Sequence, residues 1–353
     1  EKNKPIQDLK IKDIVKIYNS VGAIPSIQRG LVWNSIRAEV LWDSLMRGIP
    51  IGTLSIRTKD GVREILDGQQ RACTINMAFT EFPNNSSKIE EKNKSILWID
   101  LGMSSALTEN EQGKTTISER KYIFRVTTPA HPWGYRLSDN ETKTSTFSFS
   151  EQKEFVNQLN NKWEKSSNKG ARPYPYELWP GKSKLPIPFN IVYDFVTKST
   201  EGHSYDDFLK HLLNYKGTNW YEHFKEKLYG SEIAKKLWNE ISNAIKNVDN
   251  LTIFATNASD VKCEDFETYF RRMNKSGVVP SDEDIKYSMI KANVEDLKKL
   301  DEISEGLTNP ARLASIVLRY SLSSMEGDKW INDVTIEDVK KLSKETYNRI
   351  SET

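Results

Sequence analysis

Asp67-Gly68-Gln69-Gln70-Arg71 stands where a strand-like run gives way to a helix-like one, and each residue type there has a use in phosphate chemistry. Gly68 tolerates unusual dihedrals and lets a phosphate come close to the backbone. A helix start offers N–H groups without intrahelical acceptors and the positive end of the helix dipole. Arg71 falls in the first turn, placed to fork onto phosphate oxygens. Gln69 or Gln70 can orient an attacking water, and Asp67 can hold a divalent metal. The same five residues also read as an aspartate N-cap followed by a surface helix.

Two further segments carry polar groups within apolar frames. In Ile24-Pro25-Ser26-Ile27-Gln28-Arg29-Gly30-Leu31-Val32-Trp33, Ile24, Ile27 and Trp33 anchor a segment that can point Gln28 and Arg29 into a cleft. In Phe266 to Ser281, Phe266, Tyr269, Phe270 and Met273 have the spacing of one buried helical face, leaving Arg271 and Asn274 as site candidates. Six of the 15 arginines lie between Arg29 and Arg71, where five acids accompany them, so this stretch supplies guanidiniums without being a plain basic patch. Of the four histidines, His131, between Ala130 and Pro132, is the candidate for a site; His203, His211 and His223 sit in helix-like stretches without acidic partners nearby. Gly113-Lys114-Thr115-Thr116 imitates the end of a phosphate-binding loop but has Thr108 where the earlier glycine belongs.

These groups need elements to hold them. Ile6, Leu9, Ile14 and Ile17 suit an opening amphipathic helix, and Ser35 to Arg47 a second one stopped by Gly48. Thr53 to Arg57 and Val62 to Leu66, joined by Lys59-Asp60-Gly61, predict a hairpin. Its second strand runs into Asp67-Gly68, and Gln69 to Phe79 predicts a helix. Ile96 to Leu101 and Tyr122 to Val126 read as strands around a polar insertion, Thr108 to Glu119. From Phe149 onward the pattern is helical, with one strand-like run, Leu251 to Ala255, and a Pro-rich linker candidate, Pro173 to Pro188. The expected fold is α+β: a small mixed-sheet domain over residues 1–148, then a larger, mainly helical domain over residues 149–353.

Composition narrows the function class. Thirteen Phe, 14 Tyr and 9 Trp supply far more apolar surface than a disordered chain has. Lys and Arg total 51 against 49 acids, a net +2, which excludes a bulk basic field for holding nucleic acid. Two cysteines cannot make a zinc site alone, no apolar run approaches the ~20 residues of a membrane span, and no signal-peptide core opens the chain. A cytoplasmic protein with no membrane partner is expected, and the missing initial Met and charged final stretch read as a piece of a longer one.

Taken together, the three motifs resemble the N-terminal domain of GmrSD-type restriction endonucleases, a family distantly related to ParB and sulfiredoxin. That family pairs Ile-Pro-x-x-Gln-Arg-x-x-x-Trp with Asp-Gly-Gln-Gln-Arg about forty residues later, and carries Phe-x-x-x-Asn-x-x-Gly far downstream. Here these are Ile24 to Trp33, Asp67 to Arg71 and Phe270 to Ser281, in order. Thr128 to Tyr135 is similar to a stretch found in one branch. Cys73 departs from the usual Leu.

The resemblance implies a ParB/sulfiredoxin-like domain that hydrolyses a nucleoside triphosphate with Mg²⁺. It implies coupling to an HNH-type nuclease, in this protein or on a partner, that cuts modified or phage DNA. Carried over, Gln28, Arg29, Asp67, Gln69, Gln70 and Arg71 are catalytic, Asp67 also as metal ligand; Gly68 and Asn274 bind the nucleotide, and His131, chosen from its own sequence context, is added as a nucleotide-binding candidate. No nuclease constellation stands in these 353 residues, and homo-oligomerisation is left open. Two alternatives stay beside this reading. One is a non-hydrolysing reader of modified DNA, walled by Trp33, Trp133 and Tyr135. The other is a ParB-like nickase using Asp67 and Glu64.

Overall fold

A computed structural model describes residues 6–20, 35–59, 61–82, 94–103, 108–109, 115–116, 120–137, 146–164, 179–199, 203–259, 286–287 and 310–325, with a few positions from 331 to 342. The opening segment splits rather than forming one helix. Ile6–Leu9 is strand β1, and helix α1 begins at Ile11–Tyr18, where the Asp13 carboxylate accepts the Lys10 N–H at 2.8 Å. Ile11, Ile14 and Ile17 then make one buried stripe. The Lys10 ammonium reaches back to the Asn250 carbonyl at 2.5 Å, a cation placed on the carboxyl end of a distant helix.

Helix α2 (Ser35–Met46) precedes the hairpin β2 (Leu54–Lys59) and β3 (Val62–Asp67), which delivers the chain into α3 (Gln69–Met77). Strand β4 (Ile96–Asp100), the short pair β5 (Thr108–Glu109) and β6 (Thr115–Thr116), and β7 (Phe124–Thr127) follow. Then come α4 (Phe149–Glu164), β8 (Pro186–Pro188), α5 (Phe189–Lys198), α6 (Tyr205–His211), α7 (Asn219–Gly230), α8 (Glu232–Asn250), β9 (Ile253–Asn257) and α9 (Pro310–Met325). The architecture is α+β, as expected.

The first sheet has the order β1-β9-β2-β3, with β9 antiparallel to β1 and parallel to β2. It curls: Arg63 of β3 donates to the Gln7 side chain of β1 at 2.7 Å, across both intervening strands. The second sheet has the order β7-β4-β8. The Pro-rich segment ends in its edge strand, where residues without an N–H are tolerated. Both sheets thus take a strand from beyond residue 149.

One hydrophobic core runs from Leu9 to Ala255, and a smaller cluster gathers Tyr287, Ala314, Leu318, Val334 and Val339. Four tryptophans in the main core are fully buried, and each indole N–H has an acceptor. Trp42 donates to the Thr74 carbonyl (2.9 Å), Trp98 to Thr127 Oγ1 (2.9 Å), Trp220 to the Pro186 carbonyl (2.7 Å) and Trp238 to the His203 carbonyl (2.7 Å). The first bond joins α2 to α3. It makes α2 the strut beneath the helix that carries Gln69 to Arg71, with the Trp42 ring packed edge-on against Phe189.

Candidate functional site

Strand β3 does not end by letting Asp67 cap the helix. Gly68 is the N-cap residue, with φ 87° in the left-handed region, and having no side chain it gives the start of α3 no capping oxygen. The N-terminal N–H groups of α3 consequently meet no capping oxygen from that residue, and the Gly68 carbonyl takes the first helical bond, from Ala72 N–H at 2.8 Å. The alternative reading of Asp67 as an N-cap is set aside, because a left-handed glycine takes that position itself.

Asp67 is turned instead toward the helix. Its Oδ2 accepts from Arg71 Nη2 at 3.0 Å, while Arg71 Nη1 donates to the Ile51 carbonyl at 2.9 Å. The guanidinium lies against two glycines. A Cβ on Gly52 would come within 2.9 Å of Arg71 Nη1, and one on Gly68 within 3.1 Å of Nη2. Glycine at both positions is what lets the plate of Arg71 lie flat over the backbone. Two of the five N–H donors of Arg71 are committed to these bonds. Half-buried, the pair is 17% and 30% exposed, enough to restrain it without closing it to solvent.

Strand register extends the site sideways. A bulge between Ser55 and Ile56 sets Asp67 opposite Ser55, and Ser55 opposite Thr256 of β9, giving one polar row across three strands. One step along, Arg57 stands opposite Glu64 and donates to its Oε2 through both Nε (2.7 Å) and Nη2 (2.5 Å). Glu64 and Asp67, the two carboxylates available for a nickase, are each held by an arginine. Among the described residues no three His, Cys, Asp or Glu side chains gather into a metal cluster.

Asp67, Gly68, Gln69, Gln70 and Arg71 are thus together at one strand-to-helix junction, Gln69 and Gln70 half-buried in its first turn. Gln28, Arg29, Trp33, Arg271 and Asn274 lie outside the described residues. His131 belongs to a different place, the turn that leaves β7 in the second sheet. It exchanges backbone bonds with Thr128 (3.0 and 3.1 Å), and its ring centroid lies 4.8 Å from that of Tyr135. Burial pushes its imidazole pKa down. No hydrogen bond or ion pair among the described residues joins His131 to Asp67 or Arg71.

Compared with known families, residues 11–292 match the model of the GmrSD restriction endonuclease, N-terminal domain. The chain belongs to this family. No curated protein matches it. The match covers α1 to β9 and so includes the second sheet, every strand of the first except β1, and the Asp67–Arg71 junction of this GmrSD N-terminal domain. Among its described residues no helix is long and apolar enough to cross a membrane.

Sequence reasoning missed the backbone half of the site. Ile51 and Gly52 contribute a carbonyl and a bare Cα, and Gly48-Ile49-Pro50-Ile51-Gly52 reads simply as a loop before β2. The two glycines spaced around a proline are the trace that a closely approached backbone leaves.

Proposed function

We propose that this GmrSD N-terminal domain is the nucleotide-hydrolysing module of a modification-dependent restriction or anti-phage system, governing DNA cleavage by an HNH-type nuclease domain or partner chain. The observation that carries the reading is the Asp67–Arg71 clasp over Gly52 and Gly68, beside a helix start whose N-cap is a glycine. Phosphate oxygens fit the first N–H groups of α3 and the remaining donors of Arg71, where dipole and guanidinium act together. Gln69 or Gln70 orients a water; it adds to the terminal phosphorus, the bridging P–O bond breaks, and the nucleoside diphosphate leaves with the bonding electrons while the water's proton passes to a phosphate oxygen.

One free carboxylate oxygen on Asp67 suits Mg²⁺ that arrives on the triphosphate, since this ion is ordinarily held by one or two carboxylates plus substrate phosphates. Bound there it would neutralise charge on the phosphate oxygens. Gln28, Arg29 and Asn274 complete the site in this reading, on the strength of the family's motifs. Nucleotide turnover then biases the nuclease between two arrangements. With Glu64 bound to Arg57 and no cluster of three acidic, His or Cys side chains among the described residues, the nickase alternative lacks the carboxylates it needs.

The test is phosphate release from ATP, GTP, CTP and UTP with Mg²⁺, with and without phage DNA, for the native chain and Arg71→Lys. A lysine cannot bridge Asp67 and the Ile51 carbonyl as a planar fork does, so turnover should fall on the order of 100-fold. Equal turnover in the two proteins would remove the clasp from the mechanism. Absence of nucleotide binding by calorimetry would end the reading and move the DNA reader forward.

A further inference from the structure

Buried nitrogen atoms without a partner concentrate at one turn. Eight buried side-chain N or O atoms lack a partner among the described residues, and three of them are Arg125 Nε, His131 Nδ1 and Trp133 Nε1. Native proteins leave few such groups unmatched, because an unmade bond in a dry interior is costly. Arg125 is 2% exposed. Among the described residues its hydrogen bonds go to neutral oxygens: the Tyr135 carbonyl, the Gly181 carbonyl (3.3 Å) and Ser183 Oγ (3.5 Å).

The neighbouring buried acids, Glu39 and Asp100, act on Arg125 through their charge and take their hydrogen bonds from other donors. Glu39 accepts from Arg120 (2.9 Å) and Val126 N–H (3.3 Å), while Asp100 accepts from three backbone N–H groups at 2.8–3.0 Å. Around the rim, Arg136 (2.5 Å) and Lys182 (2.9 Å) both pair with Glu151. The turn itself is built for close approach. Gly134 has φ 72°, a Cβ on it would stand 2.8 Å from the Val126 carbonyl, and Gly181 N–H bonds the Trp133 carbonyl at 2.7 Å.

We propose that the Thr128–Tyr135 turn, with Lys182, is a second anion site, for a phosphate group. Trp133 Nε1–H and the His131 imidazole donate to its oxygens, Arg136 and Lys182 supply the charge, and Arg125 positions the turn from below. The Trp133 and His131 nitrogens are shielded from solvent, so phosphate engages them by displacing the turn about Gly134. The phosphate is carried by a nucleotide or by a nucleic-acid backbone; both present the same chemistry. The site is separate from Asp67 and Arg71 and does not depend on hydrolysis there.

Trp133 supplies its own reporter. The indole N–H resonance, assigned by its loss in Trp133→Phe, is followed in ¹⁵N-labelled full chain during titration with inorganic phosphate against chloride of equal ionic strength. It should move saturably with phosphate, and Arg136→Gln with Lys182→Gln should raise the apparent Kd about tenfold. Both replaced side chains are exposed by more than a third, so a thermal melt should show the variant still folded. A resonance that stays still, moves equally with chloride, or moves equally in the double variant overturns the site. Parallel titrations with MgATP and a short DNA duplex identify the source as whichever acts at lower concentration. If only MgATP moves the resonance and Arg71→Lys abolishes that movement, the turn merely reports on α3; the second site is then wrong while the nucleotide reading stands.

Discussion

Gly68→Ala should damage both the fold and the site, and its cost divides into two parts that a second glycine separates. Gly68 and Gly61 have nearly the same backbone angle, φ 87° and 82°. Placing an L side chain in the left-handed region costs roughly 1–2 kcal/mol at either position. At Gly61 a Cβ meets nothing within 4 Å, so the change should end there. At Gly68 the Cβ would stand 2.1 Å from Leu54 Cδ2. Leu54 is 1% exposed inside the main core and has nowhere to turn. Overpacking of that kind adds about 1–3 kcal/mol, for a total of about 2–5 kcal/mol.

The same Cβ would also press on Arg71 Cζ at 3.3 Å, levering the guanidinium off Asp67 and the Ile51 carbonyl. Thermal melts should show Gly68→Ala unfolding roughly 5–15 °C below the native chain and Gly61→Ala roughly 3–6 °C below it. Nucleotide binding, where present in the native chain, should be lost only in the first. If the two variants melt together, the contact with Leu54 does not govern this turn. A Gly68→Ala protein that binds nucleotide like the native chain would refute the claim that Arg71 must lie flat on bare backbone.

Other consequences follow from pairs and rings elsewhere. Arg57 and Glu64 are 11% and 14% exposed, so Arg57→Met or Glu64→Leu alone should cost about 1–3 kcal/mol by breaking their two-pronged ion pair, whereas the double variant should cost less than the sum; urea melts that show simple additivity would contradict this. Burial lowers the His211 pKa below its ordinary ~6.5, partly opposed by the Asp194 carboxylate. The unfolded chain then takes up its proton first, so stability should fall as pH drops below about 6.5. The fall in melting temperature between pH 7.5 and 5.5 should be smaller in His211→Gln, and equal falls would show that this ring does not carry the effect.

Much of the local structure was legible before any coordinates. The alternation across Leu54 to Leu66 and the Lys-Asp-Gly turn gave the hairpin, because period-2 patterning and a turn glycine are local properties. Gln69 onward read as a helix, and the five-residue motif was correctly put at the junction. Where the reading slipped, as at Ile6–Leu9, a strand of four residues was too short to impose its own period against the helix behind it. The Pro173 to Pro188 stretch read as linker because prolines argue against a strand, yet its end pairs with β4 as an edge where no N–H is needed.

By itself, then, the sequence determined where residue types suited to phosphate chemistry stand, the strand-to-helix turn that presents them, and the family they belong to. Tertiary structure alone decided what they touch. Strand β9 enters the first sheet nearly two hundred residues after β2, and no local pattern encodes which edge a distant strand will take. Nor could spacing tell that Arg71 would spend donors on Asp67 and the Ile51 carbonyl, that Gly68 rather than Asp67 would cap α3, or that His131 would be carried off to the second sheet. Those outcomes depend on a backbone brought alongside by folding, where a missing Cβ or a free carbonyl counts for as much as any side chain.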